Sequence, residues 1–355
     1  MNTQQAILSV TSKECGILRG VPLHLVTLEN GTVTVHITNL GCTVMSIYTP
    51  DKHGITRNIA AGFDQPAAYE HNPWYFGCVV GRYANRIAKG RFSLDGYPVQ
   101  LTVNNDNNHL HGGFEGFHKK VWHLSSLIRE DSQTGVVFEY VSKDGEEGYP
   151  GNLRVKVKYL LTQDNQLIME CAAVSDKKTP VSFTNHSYFN LTGFEQALIS
   201  DHILQVHAQH YTEKNESNTP TGRILPLAGT AADFSSPGSI GERLTHFRED
   251  RGFDLNYVLT RQQPGDIIPA ASLEEKRTGR TLHIFTDQHG LQVYTANFWD
   301  GSITGQQGKP YVQHGAIALE TQAFPDSPNH PNFPNTILEP GEEYKTITIY
   351  EFGVK

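Results

Sequence analysis

The sequence has no run of about 20 apolar residues, which a membrane-spanning helix needs, and its N-terminus shows no basic segment followed by an apolar one. It also has no excess of positive charge, because 29 Lys and Arg stand against 37 Asp and Glu, a net charge of −8. The charge pattern of a nucleic-acid-binding protein is therefore missing. We expect a cytoplasmic protein that binds neither nucleic acid nor membranes.

Cysteine is scarce, with four residues that lie far apart in the chain: Cys15, Cys42, Cys78 and Cys171. They form no CxxC pair, so the spacing of a zinc ribbon or a thioredoxin-type site is absent. Buried free thiols in a reducing compartment are the simplest interpretation.

Helical periodicity is missing as well, since no run of ten or more residues repeats its apolar positions as a helix does. Short alternating segments are instead separated by turn residues, with Asn30-Gly31 and Asp95-Gly96 as hairpin signals. Leu153–Thr162 and Gln166–Ser175 show clear strand patterns. The pattern predicts an all-β fold, a large antiparallel sandwich or barrel. We expect one domain over residues 1–355, with a peripheral N-terminus of about 20 residues.

A polar segment at residues 181–191, V-S-F-T-N-H-S-Y-F-N-L, organises the candidate chemistry. Its alternation predicts one β-strand, with Val181, Phe183 and Phe189 on one face and His186 in the middle of the other. The His186 face is polar but uncharged, which suits a partly enclosed cleft. His186 is then either a proton donor or acceptor, or a core histidine satisfied by neighbouring hydroxyls.

Two further segments carry polar groups beside glycines. In residues 81–90, G-R-Y-A-N-R-I-A-K-G, Asn85 and Arg86 offer donors suited to vicinal sugar hydroxyls or a carboxylate; an ion-paired surface loop is the alternative. Residues 107–113, N-N-H-L-H-G-G, place His109 and His111 on one side of a strand. With Glu115, they resemble the start of a cupin metal site, although the glycines of that motif are absent.

Three candidates lie nearer the C-terminus. Asp254 ends the turn R-G-F-D, and Gln292 lies in the strand L-Q-V-Y-T-A-N; alone, neither is distinctive. Glu320 follows an apolar stretch with no basic residue within five positions. A carboxylate there is either tuned for proton transfer or emerges into water at the strand end.

Taken together, these segments resemble the aldose 1-epimerase family, the galactose mutarotases. The resemblance rests on G-R-Y-A-N-R-I-A-K-G, N-H-L-H-G-G, T-N-H-S-Y-F-N-L, G-F-D, L-E-T-Q-A-F-P-D-S-P-N-H-P and L-E-P-G-E-E-Y. These motifs follow one another in the family's order from about residue 25 to residue 352. The resemblance implies a large antiparallel β-sandwich of the galactose-mutarotase type, the supersandwich, with an active site in an open cleft.

The resemblance also implies the chemistry. It makes Glu320 the general base that takes the proton of the C1 hydroxyl and His186 the general acid that protonates the ring oxygen. It assigns sugar binding to Asn85, Arg86, His111, Asp254 and Gln292. No cofactor and no metal is implied. The partner is a free aldose such as galactose or glucose, and the protein is expected to be a monomer or homodimer.

We further predict that the Glu320 carboxylate raises the pKa of His186, so that Glu320 sets the acid limb of the pH profile and His186 the alkaline limb. The alternatives are a sugar-phosphate mutarotase, which needs a basic pocket, a non-catalytic sugar-binding module, which does not need both Glu320 and His186, and a metal-dependent cupin-like enzyme.

Overall fold

Strands dominate the computed structural model, which describes residues 8–263 and 265–355. Within these residues the single α-helix is α1 (Ile240–Leu244), and the other helical turns are short 3₁₀ segments. Most neighbouring strands in the sheets run antiparallel, and many of them form hairpins. The prediction of an all-β antiparallel fold is therefore confirmed.

In chain order the strands are β1 (Ser9–Leu18), β2 (Val21–Glu29), β3 (Thr34–Thr38), β4 (Thr43–Pro50), β5 (Thr56–Asn58), β6 (Val79–Val80), β7 (Arg86–Ile87), β8 (Arg91–Leu94), β9 (Tyr97–Gln100), β10 (His109–Leu110), β11 (His123–Arg129), β12 (Gln133–Ser142), β13 (Leu153–Thr162), β14 (Gln166–Ser175), β15 (Thr179–Pro180), β16 (Thr184–Asn185), β17 (Tyr188–Phe189), β18 (Ile203–Val206), β19 (Ala208–Lys214), β20 (Pro220–Pro226), β21 (Gly238–Ser239), β22 (Asp254–Leu259), β23 (Ile268–Glu274), β24 (Arg280–Thr286), β25 (Gly290–Tyr294), β26 (Asp300–Thr304), β27 (Pro310–Val312), β28 (Ile317–Gln322), β29 (Ile337–Leu338) and β30 (Glu343–Val354). The 3₁₀ segments are Pro66–His71, Ala88–Gly90, Phe117–Lys119, Glu146–Gly148, Gln306–Gly308 and Ser327–Asn329.

Three sheets hold most of these strands. The largest has nine strands in the order β11-β12-β13-β14-β30-β24-β23-β18-β21. The second has six strands in the order β17-β28-β25-β22-β19-β20, and the third has five in the order β1-β2-β3-β4-β5. The second sheet carries the polar rows described below.

The hydrophobic core lies between these sheets. One cluster of buried side chains includes Val35 of the five-stranded sheet, Val157 of the nine-stranded sheet and Leu319 of the six-stranded sheet. On β13, Val155 and Val157 are buried while Arg154 is exposed, as the alternating sequence predicts. Apolar faces of neighbouring sheets thus pack into one core, as in a β-sandwich.

The prediction of one strand over residues 181–191 is wrong. The chain forms β16 and β17 there, and these two-residue strands pair with β6 and β28 respectively. All residues from 181 to 192 are buried, so both faces of this segment contact protein. His186 and Tyr188 of the predicted polar face nevertheless line the cleft described below.

The prediction of one domain stays a prediction, and residues 1–7 of its peripheral N-terminus lie outside the described residues. Within the described part of the chain, no helix has the length and apolar character required to cross a membrane. All four cysteines are free thiols there, three of them buried and Cys15 partly exposed.

Candidate active site

Polar side chains form two adjacent rows on one face of the six-stranded sheet. In the first row Asn256 pairs with Gln292, which pairs with Glu320. In the second row Asp254 pairs with Tyr294. Residues two apart on a strand share a face, so both rows point the same way. The register therefore brings together three predicted site residues that are separated by up to 66 positions in the chain.

His186 and Glu320 meet beside these rows. His186 lies between β16 and β17, and two residues later Tyr188 pairs with Ala318 on the strand that carries Glu320. The His186 Nε2 atom is 3.6 Å from the Glu320 Oε1 atom, and the two side chains are only 5% and 3% exposed. The alternative in which Glu320 emerges into water is therefore wrong.

Asn85 and His111 are held together by reciprocal contacts. The Asn85 backbone N–H donates to His111 Nδ1 at 3.2 Å, and the His111 backbone N–H donates to the Asn85 carbonyl at 3.1 Å. Both residues have left-handed backbones, with φ of 64° and 50°. A Cβ atom on the next residue, Gly112, would overlap the Gly81 carbonyl oxygen, so this close approach requires glycine.

The two arginines of the segment 81–90 have different environments. The buried Arg82 donates to the carbonyls of Gly151 at 2.9 Å and Pro150 at 2.8 Å, so it ties loops together. Arg86 lies against the cleft, and its Nε atom donates to Asn105 Oδ1 at 3.0 Å. Glu320 and Asp254 line the same cleft as Arg86.

These side chains surround one cleft of about 340 Å³. All seven predicted residues line it, together with aromatic side chains and asparagines: Pro73, Trp74, Tyr75, Asn85, Arg86, Asn104, Asn105, Leu110, His111, His186, Tyr188, Asp254, Gln292, Tyr294, Phe298 and Glu320. Its size falls in the range of about 300–1,000 Å³ that is typical of small-molecule sites. Such a lining offers apolar ring faces and polar groups that can fix the orientation of a small molecule.

Burial changes the titration of the central pair. It raises the pKa of Glu320 well above its ordinary value, and the nearby Asp254 charge adds to this effect. Burial also lowers the pKa of His186 to about 4. The prediction of a raised His186 pKa is therefore wrong, because removal from water disfavours the charged form of both groups.

Two buried atoms of this pair have no hydrogen-bond partner within the described structure, namely Glu320 Oε2 and His186 Nδ1. Gln292, by contrast, is occupied: its Nε2 atom donates to Asp254 Oδ1 at 2.5 Å. Unpaired buried polar groups are costly and are rare in folded proteins. Both residues line the cleft through their other atoms.

Three buried side chains of the cleft form a cluster that could hold a metal ion: the donor atoms of His111, His186 and Glu320 lie within 4.8 Å of one another. The cupin-like set predicted from the sequence is a different one, and it is not assembled. His109 binds the Thr102 carbonyl and the Tyr149 hydroxyl, both at 2.7 Å.

Glu115, the third residue of the cupin-like set, is also engaged elsewhere. It is exposed, and its Oε2 atom accepts a hydrogen bond from Arg19 Nη1 at 3.1 Å. His109 and His111 do not point to one side as a regular strand would place them, because β10 ends at Leu110 and His111 turns into a left-handed backbone.

Several lining residues were missed by the sequence analysis. Trp74 and Tyr75 lie in a turn after a 3₁₀ segment, and Tyr75 packs against the rings of His111 and His186 at centroid distances of 4.8 Å and 5.8 Å. Asn105 lies in an asparagine-rich turn. A Pro-Trp-Tyr turn before an apolar strand is the available signal, but no periodicity points such residues at a cleft.

Known proteins are similar to this chain in both sequence and fold. A family description, "Aldose 1-epimerase", matches residues 24–351, close to the limits of the sequence resemblance. The galactose mutarotase of Bos taurus is 41% identical over 327 residues, which cover 92% of this chain and 93% of that protein. The aldose 1-epimerase of Escherichia coli strain K12 is 37% identical over 342 residues, covering 94% and 96%.

A solved structure agrees. The galactose 1-epimerase of Lactobacillus acidophilus NCFM superposes with a TM-score of 0.86 at 27% identity, covering 98% of this chain and 99% of that one. The family match spans the whole cleft, from the Asn85 and Arg86 segment to the strand of Glu320. The predicted resemblance is thereby confirmed: the chain belongs to the aldose 1-epimerase family.

Proposed function

We propose that this protein interconverts the α and β anomers of free aldoses such as galactose and glucose, with Glu320 as general base and His186 as general acid. The observation that carries the proposal is the 3.6 Å separation of His186 Nε2 and Glu320 Oε1 inside a polar cleft. Mutarotation needs one proton removed from O1 and one delivered to O5, which are neighbouring atoms of one hemiacetal carbon. A carboxylate and an imidazole at this separation suit both transfers.

The steps balance without any other reactant. Glu320 takes the O1 proton, the C1–O1 bond becomes a carbonyl, the C1–O5 bond breaks and O5 takes the proton of His186. The C1–C2 bond then rotates, and the reverse transfers close the ring on the other face. Arg86, Asn85, His111, Asp254 and Gln292 are proposed to hold the sugar by hydrogen bonds to its ring and hydroxyl oxygens.

Polarimetry tests this function directly. Freshly dissolved α-D-galactose and α-D-glucose should reach their equilibrium optical rotation faster with the protein than in buffer, in proportion to protein concentration. If the protein accelerates the change in optical rotation of neither sugar, at any protein concentration tested, the proposal is contradicted. A non-catalytic sugar-binding protein would bind sugar and give that result.

Sugar phosphates are the second substrate class to compare. Arg86 is the one Lys or Arg among the described residues that line the cleft, and it faces the two carboxylates of Asp254 and Glu320. Lys214 does not line this cleft; it is paired with Asp250 at 2.8 Å, and its Nζ atom lies 3.9 Å from Asp254 Oδ2. This charge balance supports uncharged sugars, so glucose should be a better substrate than glucose 6-phosphate. We also propose a cytoplasmic protein that acts as a monomer or homodimer and binds neither nucleic acid nor membranes.

Replacing Arg86 by Ala should raise KM for galactose about 10- to 100-fold, because hydrogen bonds to a charged donor contribute about 1.5–3 kcal/mol. The value of kcat should change little, since Arg86 binds sugar equally before and during ring opening. Initial rates over a range of galactose concentrations measure both constants. Arg91→Ala is the matched control, because Arg91 is exposed and bonds Gln100 outside the cleft. A fall in kcat at unchanged KM would contradict the binding role.

The pH profile of kcat/KM should be bell-shaped with limbs assigned opposite to the sequence-based prediction. The active pair carries one proton. A second proton is added near the lowered pKa of His186, about 4, and this sets the acid limb. The single proton is lost at the raised pKa of Glu320, and this sets the alkaline limb. Buffer-corrected polarimetric rates across pH measure the profile. In His186→Asn the single remaining limb belongs to Glu320 and should lie above the ordinary pKa of a glutamate; a limb at that ordinary value would contradict this assignment.

A further inference from the structure

The loop that follows the strand of Glu320 is bonded directly to the segment that carries Arg86. The backbone N–H of Asp326 donates to the Arg86 carbonyl at 2.8 Å. The Asp326 Oδ1 atom accepts from the backbone N–H of Ala88 at 3.0 Å. Asp326 thus binds both peptide groups that follow Arg86 in the chain.

A second set of contacts joins the same two segments. The hydroxyl of Tyr83 donates to the Phe324 carbonyl at 2.8 Å and accepts from the backbone N–H of Ser327 at 3.2 Å. Tyr83 is fully buried. Hydrogen bonds therefore hold residues 324–327 against residues 83–88 at two points, at Tyr83 and at Asp326.

Asp326 is itself rigidly held. It is 2% exposed and has a left-handed backbone with φ of 57°. Its Oδ1 atom accepts from Asn329 Nδ2 at 2.6 Å, and its Oδ2 atom lies 3.3 Å from His330 Nε2. A non-glycine residue in this conformation persists where its surroundings determine it. None of these contacts reaches the cleft, since Asp326 does not line it among the described residues.

We propose that Asp326 is a positioning residue for sugar binding, because it fixes Arg86 relative to Glu320, six residues before Asp326 on the same chain segment. Arg86 and Glu320 reach the cleft from parts of the chain that are more than 200 residues apart, and Asp326 joins those parts. The proposal rests on the proposed function, in which Arg86 binds the sugar. Small displacements of a binding group are enough to weaken its contacts substantially.

A double-mutant cycle between Asp326→Ala and Arg86→Ala tests this coupling. In the wild-type background Asp326→Ala should raise KM for galactose about tenfold and change kcat less than about threefold. In the Arg86→Ala background it should raise KM less than about twofold, because groups that act through one another are not additive. A tenfold increase in both backgrounds, or a loss of kcat at unchanged KM, would overturn the proposal, since a general loss of structure acts additively.

Three further variants complete the experiment. Asp326→Asn keeps an oxygen acceptor for the Ala88 N–H and should restore KM to within about threefold of wild type; failure to do so counts against the proposal. If Asp326→Ala does not fold, Tyr83→Phe removes the neighbouring link and enters the same cycle with Arg86→Ala. Asp233→Ala is the control, because Asp233 also bonds a backbone N–H, that of Ser235 at 3.0 Å, but lies outside the cleft lining.

The two proposals fail separately. If the wild-type protein does not accelerate mutarotation, the proposed function fails. The coupling between Asp326 and Arg86 is then measured from the dissociation constants of galactose, determined by calorimetry, in place of KM. If the wild-type protein is active and the cycle is additive, the positioning role of Asp326 fails and the function stands.

Discussion

Glu320→Gln is expected to lower kcat for mutarotation by about 10²–10⁴-fold, the usual contribution of a general acid or base. Glutamine has the same shape and still accepts a hydrogen bond through its oxygen, but it cannot take the O1 proton. Since Glu320 Oε2 has no hydrogen-bond partner within the described structure, the substitution breaks no bond there. We therefore expect a folded protein that binds sugar with nearly normal KM and turns it over slowly.

The measurements are polarimetric kcat and KM, with thermal unfolding as the test of folding. The raised pKa of Glu320 means that the folded state binds the Glu320 proton more tightly than the unfolded state does. This group therefore makes the free energy of unfolding fall as the pH rises above the ordinary pKa of glutamate. The Tm of Glu320→Gln relative to wild type should therefore increase with pH.

Glu275→Gln is the matched control, because Glu275 is buried and caps a turn through the N–H groups of Arg277 and Thr278 outside the cleft. This control should lose stability and keep kcat. A nearly normal kcat in Glu320→Gln would mean that another group removes the O1 proton.

Part of this site could be predicted because strands obey simple rules. Alternation along β25 and β28 puts Gln292 and Glu320 on defined faces, and an isolated acid after an apolar run indicates an unusual environment. What the sequence alone does not contain is the register between strands far apart in the chain. The pairing of Gln292 with Glu320 is visible only in the folded sheet.

Other features follow from tertiary contacts that override local patterns. The segment 181–191 reads as one strand, yet it changes partners between β16 and β17 because it passes between sheets. His111 leaves strand β10 with a left-handed backbone, which separates it from His109. The direction of the His186 pKa shift also depends on burial, which the neighbouring polar residues in the sequence do not reveal.

His186→Asn should likewise lower kcat by about 10²–10⁴-fold, because asparagine keeps a polar donor beside the sugar but has no proton to deliver to O5. In this variant Glu320 is the titrating group that remains of the pair, and a base must be ionised, so the residual rate should rise with pH and show no alkaline limb. In Glu320→Gln the remaining acid, His186, must be protonated, so the residual rate should fall as pH rises and show no acid limb. This pair of altered limbs assigns each titration to one residue in a way that the wild-type profile alone does not.

His118→Asn supplies the matched control for that experiment. His118 is buried like His186, its pKa is lowered to about 3 by burial, and its ring packs against Tyr75 at 4.8 Å, but it does not line the cleft within the described structure. The same substitution there should leave kcat and both limbs nearly unchanged. If His186→Asn and His118→Asn lowered kcat equally, the effect would come from disturbed packing around Tyr75, and proton delivery by His186 would be excluded. A selective loss in His186→Asn, with the alkaline limb gone, is the outcome that proton transfer to O5 requires.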